Sequence, residues 1–209
     1  MFRALIIVTA VASAVGILSA EAEPSAGRIE APAGPEAPAP IGWIDFCMRY
    51  RGECDDAELP AQRIALKPRI WDELQSSNNL INRTIEPVSD WVHWHLAEKW
   101  DYPSDGKGDC EDYALLKRKL LMEHGYPRQA LLLTVVFRPD DPEGHAVLMV
   151  KTDGGDLILD NRRDTILNWD DTGYEFIKRQ SQENQNRWVR FETPVPAPLA
   201  VSAQSDAGE

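Results

Sequence analysis

Thr152-Asp153-Gly154-Gly155 separates two runs dense in β-branched and apolar residues, His145 to Thr152 and Asp156 to Asp160. A turn of this composition between such runs specifies an antiparallel hairpin. A third run of the same kind, Gln129 to Arg138, precedes them. The hairpin register depends on which two residues make the turn. With Asp153-Gly154 there, Thr152 pairs with Gly155, His145 falls opposite Arg162, and Asp160 lies two residues from direct opposition to His145 on the same face. Diagonal neighbours of that kind stand about 7–8 Å apart at the backbone, within reach of a His–Asp hydrogen bond. With Gly154-Gly155 at the turn, His145 and Asp160 are four positions out of opposition and the contact is strained.

Upstream, Asp105-Gly106-Lys107-Gly108 is a loop signal and Asp109 an N-cap; Tyr113, Leu116, Leu120 and Leu121 follow at helical spacing until Gly125 and Pro127. The spacing predicts a helix from about Cys110 to His124 with Cys110 at its first position. There, unpaired backbone amides and the positive end of the helix dipole favour thiolate over thiol. Asp109 and Asp112 occupy capping-box positions, although Glu or Gln is the usual partner at the second. The carboxylates Asp109, Glu111 and Asp112 act the other way, because negative charge beside a sulfur disfavours its anion. A cation would neutralise them, and hard oxygen donors in this number suit calcium completed by backbone carbonyls or water. Helix capping with the carboxylates in water meets the same spacing without a cation.

Cys110, His145 and Asp160 occur in an order that suits nucleophilic catalysis. A thiolate attacks a carbonyl carbon, an imidazole holds the thiol proton and returns it to the leaving amine, and a carboxylate fixes which imidazole nitrogen faces the sulfur. The competing reading makes Cys110 a small buried core residue. Asn161 is predicted to face away from His145. His93 and His95, in a Trp-rich helix-like run, and His124, at the end of the Cys110 helix, read as surface or capping residues. Trp71, Trp91 and Trp169 are expected in the core, while Trp100 and Tyr113 are candidates to wall a substrate groove. The backbone amide of Cys110 is the natural oxyanion donor; no side chain stands out for the other half, Asn82 being the nearest to a candidate.

Arg3, the apolar run Ala4 to Leu18 and the small-x-small Ala20-Glu21-Ala22 have the form of a secretory signal over residues 1–22, with an uncleaved anchor as the alternative. Residues 23–40 form a Pro/Ala-rich linker and 193–209 a tail of the same character, both expected to lack secondary structure, which leaves 41–192 as one domain. The hydrophobic share of 43% and seven tryptophans supply its core. With 22 Lys and Arg against 34 Asp and Glu, the formal charge is -12, which argues against nucleic acid or an anionic membrane as partner. In an exported chain Cys47 and Cys54, on a turn-rich segment with Gly52 and Asp55-Asp56, are expected to form a disulfide, which leaves Cys110 as the odd thiol. No exposed apolar seam stands out, so a monomer is expected.

Asp109-Cys110-Glu111-Asp112-Tyr113-Ala114 with Leu116-Lys117, Gly144-His145-Ala146-Val147 and Leu157-Ile158-Leu159-Asp160-Asn161 resemble the bacterial transglutaminase-like cysteine proteinase family. The resemblance includes Asn82, Trp100-Asp101-Tyr102-Pro103 and Trp188, and covers about Trp43 to Trp188. It implies an α+β, papain-like fold of the transglutaminase type, with N-terminal helices and the nucleophile helix packed on an antiparallel sheet, and a triad of Cys110, His145 and Asp160. The best known members are periplasmic proteases that release large surface adhesins by cutting near their N-termini and need calcium held by acidic residues around the cysteine, here Asp109, Glu111 and Asp112. An anchored membrane receptor sequesters such proteases. The resemblance therefore implies an exported cysteine peptidase, periplasmic or secreted, with a protein substrate. Two alternatives share the same residues: acyl transfer to an amine, as in transglutaminases, and a calcium-dependent binding module in which Cys110 is inert.

Overall fold

The computed structural model describes residues 30–139 and 141–192; the expected signal (1–22) and tail (193–209) lie outside them. Strand β1 (Ala33–Ala37) and helix α1 (Ile41–Arg49) lead to α2 (Pro68–Thr84), the short β2 (Glu86–Pro87), α3 (Asp90–Trp94), β3 (Lys107–Gly108) and α4 (Cys110–Glu123). Then follow β4 (Leu131–Arg138), β5 (Asp141–Thr152), β6 (Gly155–Asp160), β7 (Arg163–Asn168), β8 (Glu175–Gln180) and β9 (Trp188–Phe191). Seven strands make one antiparallel sheet in the order β1-β9-β8-β4-β5-β6-β7, and β2 pairs with β3 in parallel.

The apolar runs of β4, β5 and β6 are nearly continuous because this part of the sheet is covered on both faces. Leu133, Leu148 and Leu159 align across three strands and belong to the core under the helices, with Trp43, Phe46, Leu74, Leu115 and Leu121. Their neighbours Leu132, Met149 and Ile158 align in the same way on the opposite face, where Trp169, Tyr174, Phe176 and Phe191 cover them. Helix α4 lies over β5 and β6, and α2 packs on α4 and β7, so the start of α4 is held against the sheet. Among the described residues no helix is long and apolar enough to cross a membrane.

Cys47 and Cys54 form the expected disulfide, with a Cα–Cα distance of 5.4 Å. Closing so short a loop contributes roughly 2–3 kcal/mol. Two sequence expectations fail. The linker carries β1, which pairs with β9, and Ala31 N donates to Asp156 Oδ2 at 2.8 Å, so the folded body starts well before Ile41. Pro35 obscured this strand; at a sheet edge the missing N–H costs nothing. Trp91 is not core but 67% exposed, because α3 is only five residues long and buries Asp90 alone.

Candidate active site

A cleft of about 810 Å³ runs between the start of α4 and α3 on one side and β4, β5 and the β6–β7 turn on the other. Cys110, His145, Asn161, Arg162, Trp91, Trp100 and Lys178 are among the residues that line it. Cys110 opens α4 as expected, and its Sγ accepts a hydrogen bond from Ala146 N at 3.4 Å and donates one to Glu111 Oε2 at 3.2 Å. Gly108 allows the turn into α4 to close tightly: a Cβ there would stand 2.5 Å from Asp112 Oδ2.

The hairpin adopts the Asp153-Gly154 register, with Thr152 opposite Gly155 and Leu148 opposite Leu159. His145 and Asp160 are both buried, and His145 Nε2 donates to Asp160 Oδ1 at 2.9 Å. Asp160 Oδ1 also accepts Arg162 N at 3.0 Å, and Oδ2 accepts the Tyr174 hydroxyl at 2.6 Å. Burial pushes the Asp160 carboxyl up, but the hydrogen bond and charge of His145, with the Tyr174 hydroxyl and the Arg162 amide, outweigh it and hold Asp160 at about 2. The turn after β6 is clamped from behind by α2: Asn82 Nδ2 donates to Asp160 O at 3.0 Å and Arg163 O at 3.2 Å, and Asn78 Nδ2 to Arg163 O at 2.9 Å. Asn82 thus holds the backbone of the aspartate rather than facing the cysteine. Tyr113 likewise turns inward, donating to Ile85 O at 2.5 Å, whereas Trp100 is buried yet reaches the cleft and Asn161 lines it despite the opposite expectation. His95 caps α3 in the left-handed region with φ 57°, His124 caps α4, and His93 Nε2 contacts Asp105 Oδ2 at 2.8 Å.

The opposite wall is acidic. Asp109 and Asp112 are brought together with Asp90, which the sequence reading missed, with ligand oxygens all within 4.8 Å of one another. Asp109 does not cap its own helix; its Oδ2 accepts Asp90 N at 2.9 Å, while Oδ1 is buried without a partner. Asp112 Oδ1 accepts Asp101 N at 2.7 Å. Burial and the charge of Asp109 push Asp90 up to about 6, and burial with the charges of Asp109 and Asp90 pushes Asp112 up to about 8. Glu111 is raised by burial and by Asp109, and Glu98 is raised in the same way. Burial and the charge of Glu111 push the Cys110 thiol up as well, against the hydrogen bond from Ala146 N, which lowers it. Two buried carboxylates, Asp90 and Asp112, with the half-buried Asp109 between them, whose Oδ1 has no donor, are a donor set that fits a hard divalent cation. Nothing in the sequence separated Asp90 from an ordinary acidic residue in a helix's first turn.

Residues 33–195 match the family model described as bacterial transglutaminase-like cysteine proteinase BTLCP. No curated protein matches the chain. Among solved structures, calcium-bound LapG of Legionella pneumophila is 24% identical with a TM-score of 0.51, over 64% of this chain and 77% of that one. EGTA-treated LapG is 22% identical with a TM-score of 0.50, over 63% and 72%. The mixed helical and antiparallel architecture is thus a transglutaminase-like fold.

Proposed function

The chain belongs to the bacterial transglutaminase-like cysteine proteinases and is therefore a cysteine peptidase; from that premise we propose that it cuts a protein substrate with Cys110, His145 and Asp160, beside a calcium site formed by Asp90, Asp109 and Asp112 with Glu111 alongside. The observation that carries the reading is the buried His145 Nε2–Asp160 Oδ1 bond of 2.9 Å in the cleft that also holds Cys110 Sγ. Because Asp160 accepts from Nε2, the imidazole keeps that proton and Nδ1 is its basic nitrogen. His145 takes the Sγ proton, and the thiolate adds to the scissile carbonyl carbon. The resulting oxyanion is positioned to receive the Cys110 backbone N–H, which is unsatisfied at the first position of α4. Collapse expels the amine, which takes the proton from His145, and leaves a thioester. His145 then deprotonates a water that adds to the thioester, releasing the acid and restoring the thiol.

Bound calcium would supply positive charge that offsets the acidic wall and favours the thiolate. The description of LapG in calcium-bound and EGTA-treated forms supports this assignment, as does the unpartnered Asp109 Oδ1. A periplasmic or secreted location, a surface adhesin as substrate and a membrane receptor as partner follow from the family resemblance alone.

Digestion of a proteome-derived peptide library tests the reading. Wild type should generate new carboxyl termini, more in calcium than in EGTA, and Cys110→Ala none. Cleavage by Cys110→Ala would sink the assignment, and products carrying an added amine would make acyl transfer the activity.

A further inference from the structure

We infer that Tyr174 is a positioning residue of this site: its hydroxyl fixes the second oxygen of Asp160, so that nucleophile, base and orienting carboxylate act as a four-residue unit. The inference rests on the peptidase reading above and adds to it a residue that no sequence motif singled out. Among the described residues the Asp160 carboxylate has three donors. Oδ1 accepts His145 Nε2 at 2.9 Å and Arg162 N at 3.0 Å, and Oδ2 accepts the Tyr174 hydroxyl at 2.6 Å. The last torsion of an aspartate is a broad, soft one. Bonds at Oδ1 alone leave the carboxylate plane free to swing; a bond at Oδ2 fixes that plane, and with it the direction in which Nε2–H must point.

Tyr174 is itself held on several sides. Its backbone N–H donates to Thr172 Oγ1 at 3.2 Å, and that hydroxyl donates to Trp169 O at 2.8 Å. The Arg163 guanidinium lies 5.2 Å from the ring centroid. The ring meets the His145 imidazole edge-on at 5.9 Å and an interplanar angle of 80°, which shields the His145–Asp160 bond on that side. Burial and the bond to Asp160 push the phenol up to about 12, so it stays a donor wherever the enzyme works. The ring packs on the second-face core, a duty phenylalanine would discharge equally well. What tyrosine adds is the hydroxyl, and its hydrogen-bond partner is Asp160.

The test uses a peptide that wild type cleaves, taken from the proteome-derived library, with Tyr174→Phe, Asp160→Ala and the double variant as full-length chains. Tyr174→Phe should lower kcat about tenfold to a hundredfold, the effect of losing one hydrogen bond to a charged group, with KM unchanged. The 15N shifts of the His145 ring should show a smaller fraction of the imidazole protonated at Nε2. Asp160→Ala with Tyr174→Phe should be no slower than Asp160→Ala alone, because Tyr174 acts through Asp160. An unchanged kcat and tautomer in Tyr174→Phe, or losses that simply multiply in the double variant, would overturn the inference. Cys110→Ala run alongside keeps the two readings apart: its residual turnover would instead refute the triad itself.

Discussion

On opposite walls of the site, Asp160 beside His145 and Asp112 beside Asp90 and Asp109 are both buried carboxylates, yet their surroundings push them in opposite directions. Asp160 has a donor for each oxygen and stays ionised, held at about 2. Asp112 has backbone donors too, but burial together with the carboxylates of Asp109 and Asp90 pushes it up to about 8. The difference teaches that depth of burial alone does not decide whether a carboxylate is charged; the donors and like charges around it decide whether the cost of burial is outweighed. The sheet wall is completed by folding. On the reading proposed above, the helix wall is completed by a cation.

The sharpest way to break this contrast is to remove the orienting carboxylate. Asp160→Ala should lower kcat about a thousandfold to ten-thousandfold, the scale seen when a triad member is lost, and excess calcium should not restore it. Recovery with calcium would mean that the two walls share their electrostatics.

The sheet wall is also anchored by packing. Leu148, fully buried, lies between Leu133 and Leu159 in register, three residues from His145. Leu148→Ala should cost about 2–5 kcal/mol. Urea unfolding should show a lower midpoint with an unchanged m-value.

Acid separates the walls by sign. A carboxyl depressed in the folded state, like Asp160 at about 2 against an ordinary 3.8, contributes stability that is present above the unfolded value and is lost as pH falls through the folded one. That contribution is about 2 kcal/mol. Between roughly pH 5 and pH 2 wild type should therefore lose more stability than Asp160→Asn. Equal slopes in acid titrations monitored by denaturant would show that Asp160 is not held ionised.

How much of this was legible in the sequence follows the same division. The hairpin register, the bounds of α4, the Cys47–Cys54 bond and the approach of His145 to Asp160 all rest on short-range rules: turn residues, period, capping signals and spacing. What escaped depends on partners far along the chain. Strand β1 exists because β9 lies beside it, and its Pro35 reads locally as a break. Asp90 and Asp109 are 19 residues apart, and the β2–β3 pairing, Glu86 with Lys107 and Pro87 with Gly108, brings their segments together. Tyr174 reaches Asp160 across 14 residues, where no periodicity operates. Trp91 reads as core because tryptophan usually is, but the five-residue helix at the cleft rim buries Asp90 alone.

The smallest effect tests the contrast from the acidic side. Asp90→Asn removes one charge from the helix wall but keeps an oxygen to accept the Lys99 N–H that Asp90 Oδ2 now receives. If like-charge repulsion is what distinguishes this wall, the variant should be more stable than wild type in EGTA, by about 1 kcal/mol or some 2–4 °C in Tm. Calcium should then reverse the order, because it binds the folded wild type and raises its Tm while the weakened site gains less. A variant less stable than wild type in both conditions would show that Asp90 serves the fold through its hydrogen bonds, and that the acidic wall is no more strained than the sheet wall opposite.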